Sequence, residues 1–119
     1  MQREFVAAPE FWTVGDTIDH MRETGEDLPE LFFNVYIIDT AFKPIGYVPV
    51  SHLMRAQRGV RLFDMMDSSI ITINQADDQE EAAFQFEKYN LISAPVINEQ
   101  GRLVGMMTCL LYTSDAADE

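Results

Sequence analysis

Two stretches of this chain recur with nearly the same pattern, and that recurrence limits the fold more than any single residue does. MQREFVAAPEFWTVGDTI (1–18) and MDSSIITINQADDQEEAA (66–83) both run Met, three polar residues, a short apolar run, a turn and a helix start. YIIDTAFKPIGYVPV (36–50) and PVINEQGRLVGMMTC (95–109) share an apolar pair, Asp or Asn, a polar turn, Lys or Arg, an apolar residue, Gly and a second apolar run. The offset is 65 in the first overlay and 59 in the second, and one loop insertion around GEDLPE (25–30) accounts for the difference. Self-similarity at this period marks a duplicated supersecondary unit.

The unit can be read locally. Val14, Ile18 and Met21 or Arg22 have helical spacing across 13–24, with Gly25 as the stop. FFNVYII (32–38) and IGYVPV (45–50) are rich in β-formers, and DTAFKP turns between them. In the second half Asp78 can cap a helix reaching about Tyr89, with Ala82, Phe86 and Tyr89 on one face. SAPVI (93–97) and RLVGMM (102–107) are strands joined by NEQG, where Gly101 supplies the turn. Each half therefore reads strand, helix, strand, strand, short helix. The first closing helix spans Ser51 to about Gln57, with Ser51 as its cap, and the second begins near 109. Neither half can bury its sheet alone, so the expected fold is α/β (α+β): two βαββα modules in a pseudo-twofold pair with one shared core and the last helix cut short. The expected boundaries are 1–57 for the first module, 58–69 for the linker and lead-in, and 70–108 for the second module.

Residues 109–119, CLLYTSDAADE, resemble the translation of a library-preparation adapter and are expected to be a non-native tail. The repeat likewise leads one to expect that Met1 is internal to a longer reading frame. The tail carries Asp115, Asp118 and Glu119, three of the 20 acidic residues, and none of the 8 Lys and Arg. Formal net charge over the whole chain is −12. Such a balance argues against nucleic acid, whose phosphates need a basic face, and favours divalent cations or a basic protein surface. With 47% apolar side chains in 119 residues, the chain can build one small domain with a core. A lone Cys109 excludes an internal disulfide and fits a reducing compartment. No signal peptide and no apolar run near the ~18 residues of a membrane span occur.

MQREFVAAPEFWTVGDTIDHMRE, VYIIDTAFKPIGYVPVSHLMRA, DDQEEAAFQFEKYNLISAPVI and EQGRLVGMMT together resemble a pair of CBS modules, and more narrowly the cytosolic CBS pair of MgtE-type magnesium transporters. The DQEE…F.KYNL.SAPV pattern is fairly specific to that family, whereas GRLVG is common to many CBS proteins. The resemblance implies a regulatory homodimer at the cytoplasmic face of the inner (plasma) membrane. It also implies an acidic N-terminal domain and a transmembrane pore as partners, both absent here, so that this fragment is itself soluble. Magnesium bound between cytosolic domains would hold them together and close the pore. When magnesium falls, carboxylates would repel and the domains separate. Two unit charges ~4 Å apart repel by about 1 kcal/mol in water and ~4 kcal/mol at an effective dielectric of 20.

By that resemblance Asp78 and Glu80 occupy magnesium-ligating positions, with Asp77 and Glu81 behind them. Glu87 matches a position that ligates through its backbone carbonyl, and Asn90 one that is acidic in relatives. Asp78 also fits a capping box, its oxygen accepting a backbone N–H while Glu81 reaches back, and capping and metal contact can coexist. Acids in a first turn are favoured by a helix dipole of about half a charge, which four carboxylates exceed. CBS pairs also take adenine nucleotides such as ATP, through a Ser/Thr-x-x-Asp pattern. Here Pro49 and His52, then Thr108 and Leu111, hold those positions, so the pattern is broken in both modules; Ile92, Pro95 and Thr108 remain as candidate nucleotide contacts. His20, His52, Phe11, Trp12 and the methionines read as ordinary packing or surface residues. No nucleophile with a base and no phosphate loop is evident, so catalysis is not expected. Three functions therefore compete: magnesium sensor, nucleotide-sensing module and plain dimerisation unit.

Overall fold

The computed structural model describes residues 6–23, 34–91 and 93–108. In the first half β1 (Ala7–Pro9) leads into α1 (Val14–Glu23), and β1 lies parallel to β2 (Asn34–Ile38). Strand β3 (Pro44–Pro49) returns antiparallel to β2, and α2 (Val50–Arg55) follows it directly. After α3 (Leu62–Met65), the second half repeats the scheme. There β4 (Ile73–Asn74) precedes α4 (Gln79–Tyr89), β5 (Ser93–Ile97) pairs parallel with β4, and β6 (Leu103–Thr108) pairs antiparallel with β5. The result is two three-stranded sheets of equal topology, as the doubled unit requires. Even the irregularities recur: the ladder slips between Ile37 and Ile38 and again between Val96 and Ile97.

The two hairpin turns show how the repeat is written in side chains. Asp39 Oδ1 accepts from the N–H groups of Ala41 and Lys43 at 2.9 and 3.0 Å. Asn98 Oδ1 accepts from Gln100 and Arg102, both at 3.0 Å. One short side-chain oxygen thus closes each turn. The left-handed position belongs to Gly101 in one turn (φ 80°) and to Phe42 in the other (φ 64°). A bulky residue there is strained, and contact with the other module holds it: the Phe42 carbonyl accepts from Leu103 N at 2.9 Å, and Arg102 lies over its ring at 6.0 Å. Pro44 stands where Leu103 does in the repeat and has no N–H, so the mirror-image bond cannot form.

The core has three parts. Ala8, Val14, Ile37, Val48 and Leu53 pack within the first module. Ile73, Ala82, Phe86, Ala94 and Val96 pack within the second. Tyr36, Ile38, Leu103 and Met106 join the two. Burying one such aliphatic or aromatic side chain contributes about 1.5–3 kcal/mol. The third cluster makes the pair a unit rather than two beads.

Segment 58–69 does more than connect. Val14 and Gly15 donate their N–H groups to Val60 and Arg58 carbonyls, Leu62 N donates to Trp12 O, and Tyr47 and Asp67 exchange both backbone bonds. Leu62 is fully buried in the first core. Asp67 passes so close to β3 that a Cβ on Gly46 would lie 2.9 Å from its carbonyl oxygen and 2.7 Å from Met66 Sδ.

Some local expectations need correcting. Ser51 does not cap α2; the cap lies two residues earlier, at Pro49, with no side-chain hydrogen bond, and the helix begins at Val50. Ala82 and Phe86 are buried as the apolar face of α4 requires, but Tyr89 is 46% exposed, because the helix ends there and the chain turns away at Asn90. The stop at Gly25, residues 32–33 and a closing helix near 109 lie outside the described residues. Among the described residues no helix is long and apolar enough to cross a membrane.

Candidate functional site

Two places draw together the residues singled out from the sequence: the start of α4, and the cleft between the modules. At the first, Asn74 and Asp77 set up the turn. Asn74 Oδ1 accepts from Ala76 N at 2.9 Å, and Asp77 Oδ2 accepts from Asn74 N at 3.3 Å. Asp78 is the cap, with extended backbone (ψ 174°), its Oδ1 accepting from Glu81 N at 2.8 Å. The first half of the expected capping box is therefore formed. No described hydrogen bond joins the Glu81 carboxylate to Asp78 N. The negative charge of Asp78, followed by contact with the Asp77 carboxylate, raises the pKa of Glu81 above the usual glutamate value. Asp78, Glu80 and Glu81 are exposed and Asp77 is half-buried. With Phe84, Gln85, Lys88 and Tyr89 they line a shallow groove of about 570 Å³. Lys88 Nζ lies over the Phe84 and Tyr89 rings, at 5.9 and 5.2 Å from their centroids.

Glu87 and Asn90 belong elsewhere. Glu87 stands eight residues beyond the first helical residue, ~12 Å along the axis at 1.5 Å per residue. Asn90 is the left-handed C-cap (φ 55°), its N–H shared by the Glu87 and Phe86 carbonyls, and Leu91 N donates to Phe86 O at 2.9 Å. The helix thus separates the six metal candidates into four at its start and two at its end. Among the described residues no three His, Cys, Asp or Glu side chains are grouped closely enough to hold a metal by themselves.

The second place is a cleft of about 730 Å³ between the modules. Pro95 lines it, as do Tyr36, Tyr47 and Pro49. At its floor Tyr36 Oη and Ser93 Oγ are 3.0 Å apart, and Asn34 Nδ2 donates to Ser93 Oγ at 3.0 Å. Burial raises the Tyr36 pKa, and the hydrogen bond with Ser93 partly offsets it. Beside the cleft, Tyr47 Oη donates to Asp67 Oδ2 at 3.2 Å. Burial is also the first cause of the raised Tyr47 pKa, while the Ser69 backbone N–H holds Asp67 below the usual carboxylate range. Of the other nucleotide candidates, Ile92 lies outside the described residues. Thr108 ends β6 opposite Ser93. His52 is exposed on α2 and does not line the cleft. Asn34, Tyr36 and Ser93 were not singled out from the sequence, although the 59-residue offset that aligns the hairpins also superposes Asn34 on Ser93.

A doubled β-α-β-β unit, with a shared core and a cleft at the junction, defines a class. The CBS domain family model matches residues 1–59 and again 62–109, and the chain belongs to the CBS domain family as a CBS pair. It is similar to the magnesium transporter MgtE of Thermus thermophilus, with 29% identity over 91% of this chain and 24% of that protein. It is also similar to the magnesium transporter MgtE of Bacillus subtilis, with 27% identity over the same shares. Among solved structures, the cytosolic domain of the Mg2+ channel MgtE in complex with ATP superposes with a TM-score of 0.86 at 27% identity, over 95% of this chain and 45% of that one. The chain thus spans about a quarter of the length of these curated relatives.

Proposed function

We propose that this CBS pair is the cytosolic regulatory part of a magnesium transporter, sensing Mg2+ through the acidic start of α4 to gate a pore, and that it works as a homodimer without catalysing a reaction. The observation that carries this reading is the surplus of carboxylate at that helix start. Asp77 and Asp78 each accept a backbone N–H there, whereas the Glu81 carboxylate is held against the charge of Asp78 and the Asp77 carboxylate. The donors are all oxygen, which suits a hard dication that keeps several waters. Because no three acids converge among the described residues, a bound Mg2+ would be completed by water and by an acidic surface of a neighbouring domain. That is the arrangement a bridging sensor needs: the ion's contribution appears only when the two surfaces are together, so it biases one assembly over another.

Calorimetry tests this. Mg2+ binding should be weak, in the millimolar range (on the order of 4 kcal/mol), and reduced in the Asp78→Asn, Glu80→Gln double variant. Absence of heat with Mg2+ alongside clear saturation with ATP would reverse the assignment. The second reading, an adenine-nucleotide-binding module, is favoured by two observations: the inter-module cleft has aromatic and proline walls, and a similar cytosolic domain was solved in complex with ATP.

A further inference from the structure

We infer that Phe84 and Tyr89 hold Lys88 out of the carboxylate groove of α4 and thereby set how strongly that groove takes a dication. This rests on the sensor reading above and assigns the residues that tune it. Glu81, Phe84 and Lys88 stand at i, i+3 and i+7 of the helix and line one groove with Asp78 and Tyr89. Side chains on a helix lean toward its N-terminus, so the Lys88 stem runs back over Phe84 in the direction of Glu81. Its ammonium stops at the rings: Nζ lies 5.9 Å from the Phe84 centroid and 5.2 Å from that of Tyr89. Both rings are exposed and belong to none of the core clusters among the described residues.

The place of this one ammonium matters because of where its alternative lies. Glu81 is two turns further back along the same face, ~10.5 Å on the axis, a gap that an extended lysine and an extended glutamate can bridge. Glu81 is also the carboxylate held against the charge of Asp78 and the Asp77 carboxylate, so a cation beside it relieves the most repulsion. A lysine moved there would be a tethered monocation in the place of the metal, neutralising part of the charge that draws Mg2+ in. On the rings it leaves the carboxylate oxygens open. An exposed cation–π contact and an exposed ion pair are of similar strength, so removing the rings is enough to shift the balance. The ligating groups are then the acids, and Phe84 and Tyr89 are positioning residues that act through Lys88.

Calorimetric Mg2+ titration of the full chain tests this in wild type, in Phe84→Leu with Tyr89→Leu, in Lys88→Gln, and in all three substitutions together. Losing the rings should weaken Mg2+ binding roughly threefold, and adding Lys88→Gln should restore it to wild type or beyond. Lys88→Gln should therefore gain roughly threefold more in the ring-less chain than in the wild-type chain. An equal gain in both backgrounds would overturn the inference and leave the sensor reading standing. No Mg2+ heat in any form would overturn both. A metal-free NMR measurement reads the placement of Lys88 directly. Its ε-methylene protons should lie upfield of free lysine in wild type, under the ring currents of Phe84 and Tyr89, and move to the free-lysine position in the ring-less chain. Protons already at the free-lysine position in wild type would overturn the inference.

Discussion

The two long helices begin with the same device and different charge. At α1, Thr13 Oγ1 accepts from Asp16 N at 3.2 Å and Asp16 Oδ2 accepts from Thr13 N at 3.1 Å, a closed reciprocal box with one acid. Sixty-five residues on, Asp78 replaces Thr13 and Glu81 replaces Asp16, Asp77 stands where Trp12 was, and Glu80 where Gly15 was. Only the Asp78 half of the box remains, and Glu81 is left against two anions. In the first module Trp12 instead packs on the core and meets His20 edge to face, ring centroids 5.2 Å apart. The first helix start holds one capped acid, and the second carries more on a scaffold of the same topology.

The largest test of that comparison concerns the scaffold. Leu62→Ala should cost about 2–5 kcal/mol in urea unfolding, because this residue outside both sheets is part of the first core, whereas exposed Phe63→Ala should stay within about 0.5 kcal/mol. Gly46→Ala should cost about 1–3 kcal/mol by the same measurement, since its Cβ meets the Asp67 backbone. Gly101→Ala should cost about 1–2 kcal/mol, read as a lowered midpoint, for its left-handed φ. The smallest effects separate the helix starts. Thr13→Ala should lose about 1 kcal/mol by removing a cap. Asp78→Asn keeps the accepting oxygen and removes a repelling charge, so its metal-free stability should match or exceed wild type. An equal loss in both variants would mean the two starts do not differ in the way described.

Much of the scaffold was legible because its signals are local. Asp39 and Asn98, one helix cap at Asp78 and the glycine at 101 each act within four residues, and each is where the repeat places it. What escaped was decided across the chain. Phe42 adopts a glycine's conformation in a turn that Leu103 and Arg102 of the other module contact. The cleft floor joins Asn34 and Tyr36 to Ser93, between 57 and 59 residues away. Ser51 has the chemistry of a cap, yet the helix starts ahead of it at Pro49. The acids of α4 were visible as a run; the division of Glu87 and Asn90 from the rest follows from helix length and from the cap at Asn90.

The central claim is that charge crowding at the start of α4 is relieved by a dication. The raised folded pKa of Glu81 means that its protonated form is favoured by folding. That contribution is present below the ordinary glutamate pKa and is lost as pH rises through the folded value. The direct measurement is a carboxyl-carbon NMR titration of Glu81 with and without millimolar Mg2+. The account predicts that Mg2+ lowers the Glu81 pKa toward the ordinary glutamate value. A Glu81 titration unmoved by Mg2+ would contradict it.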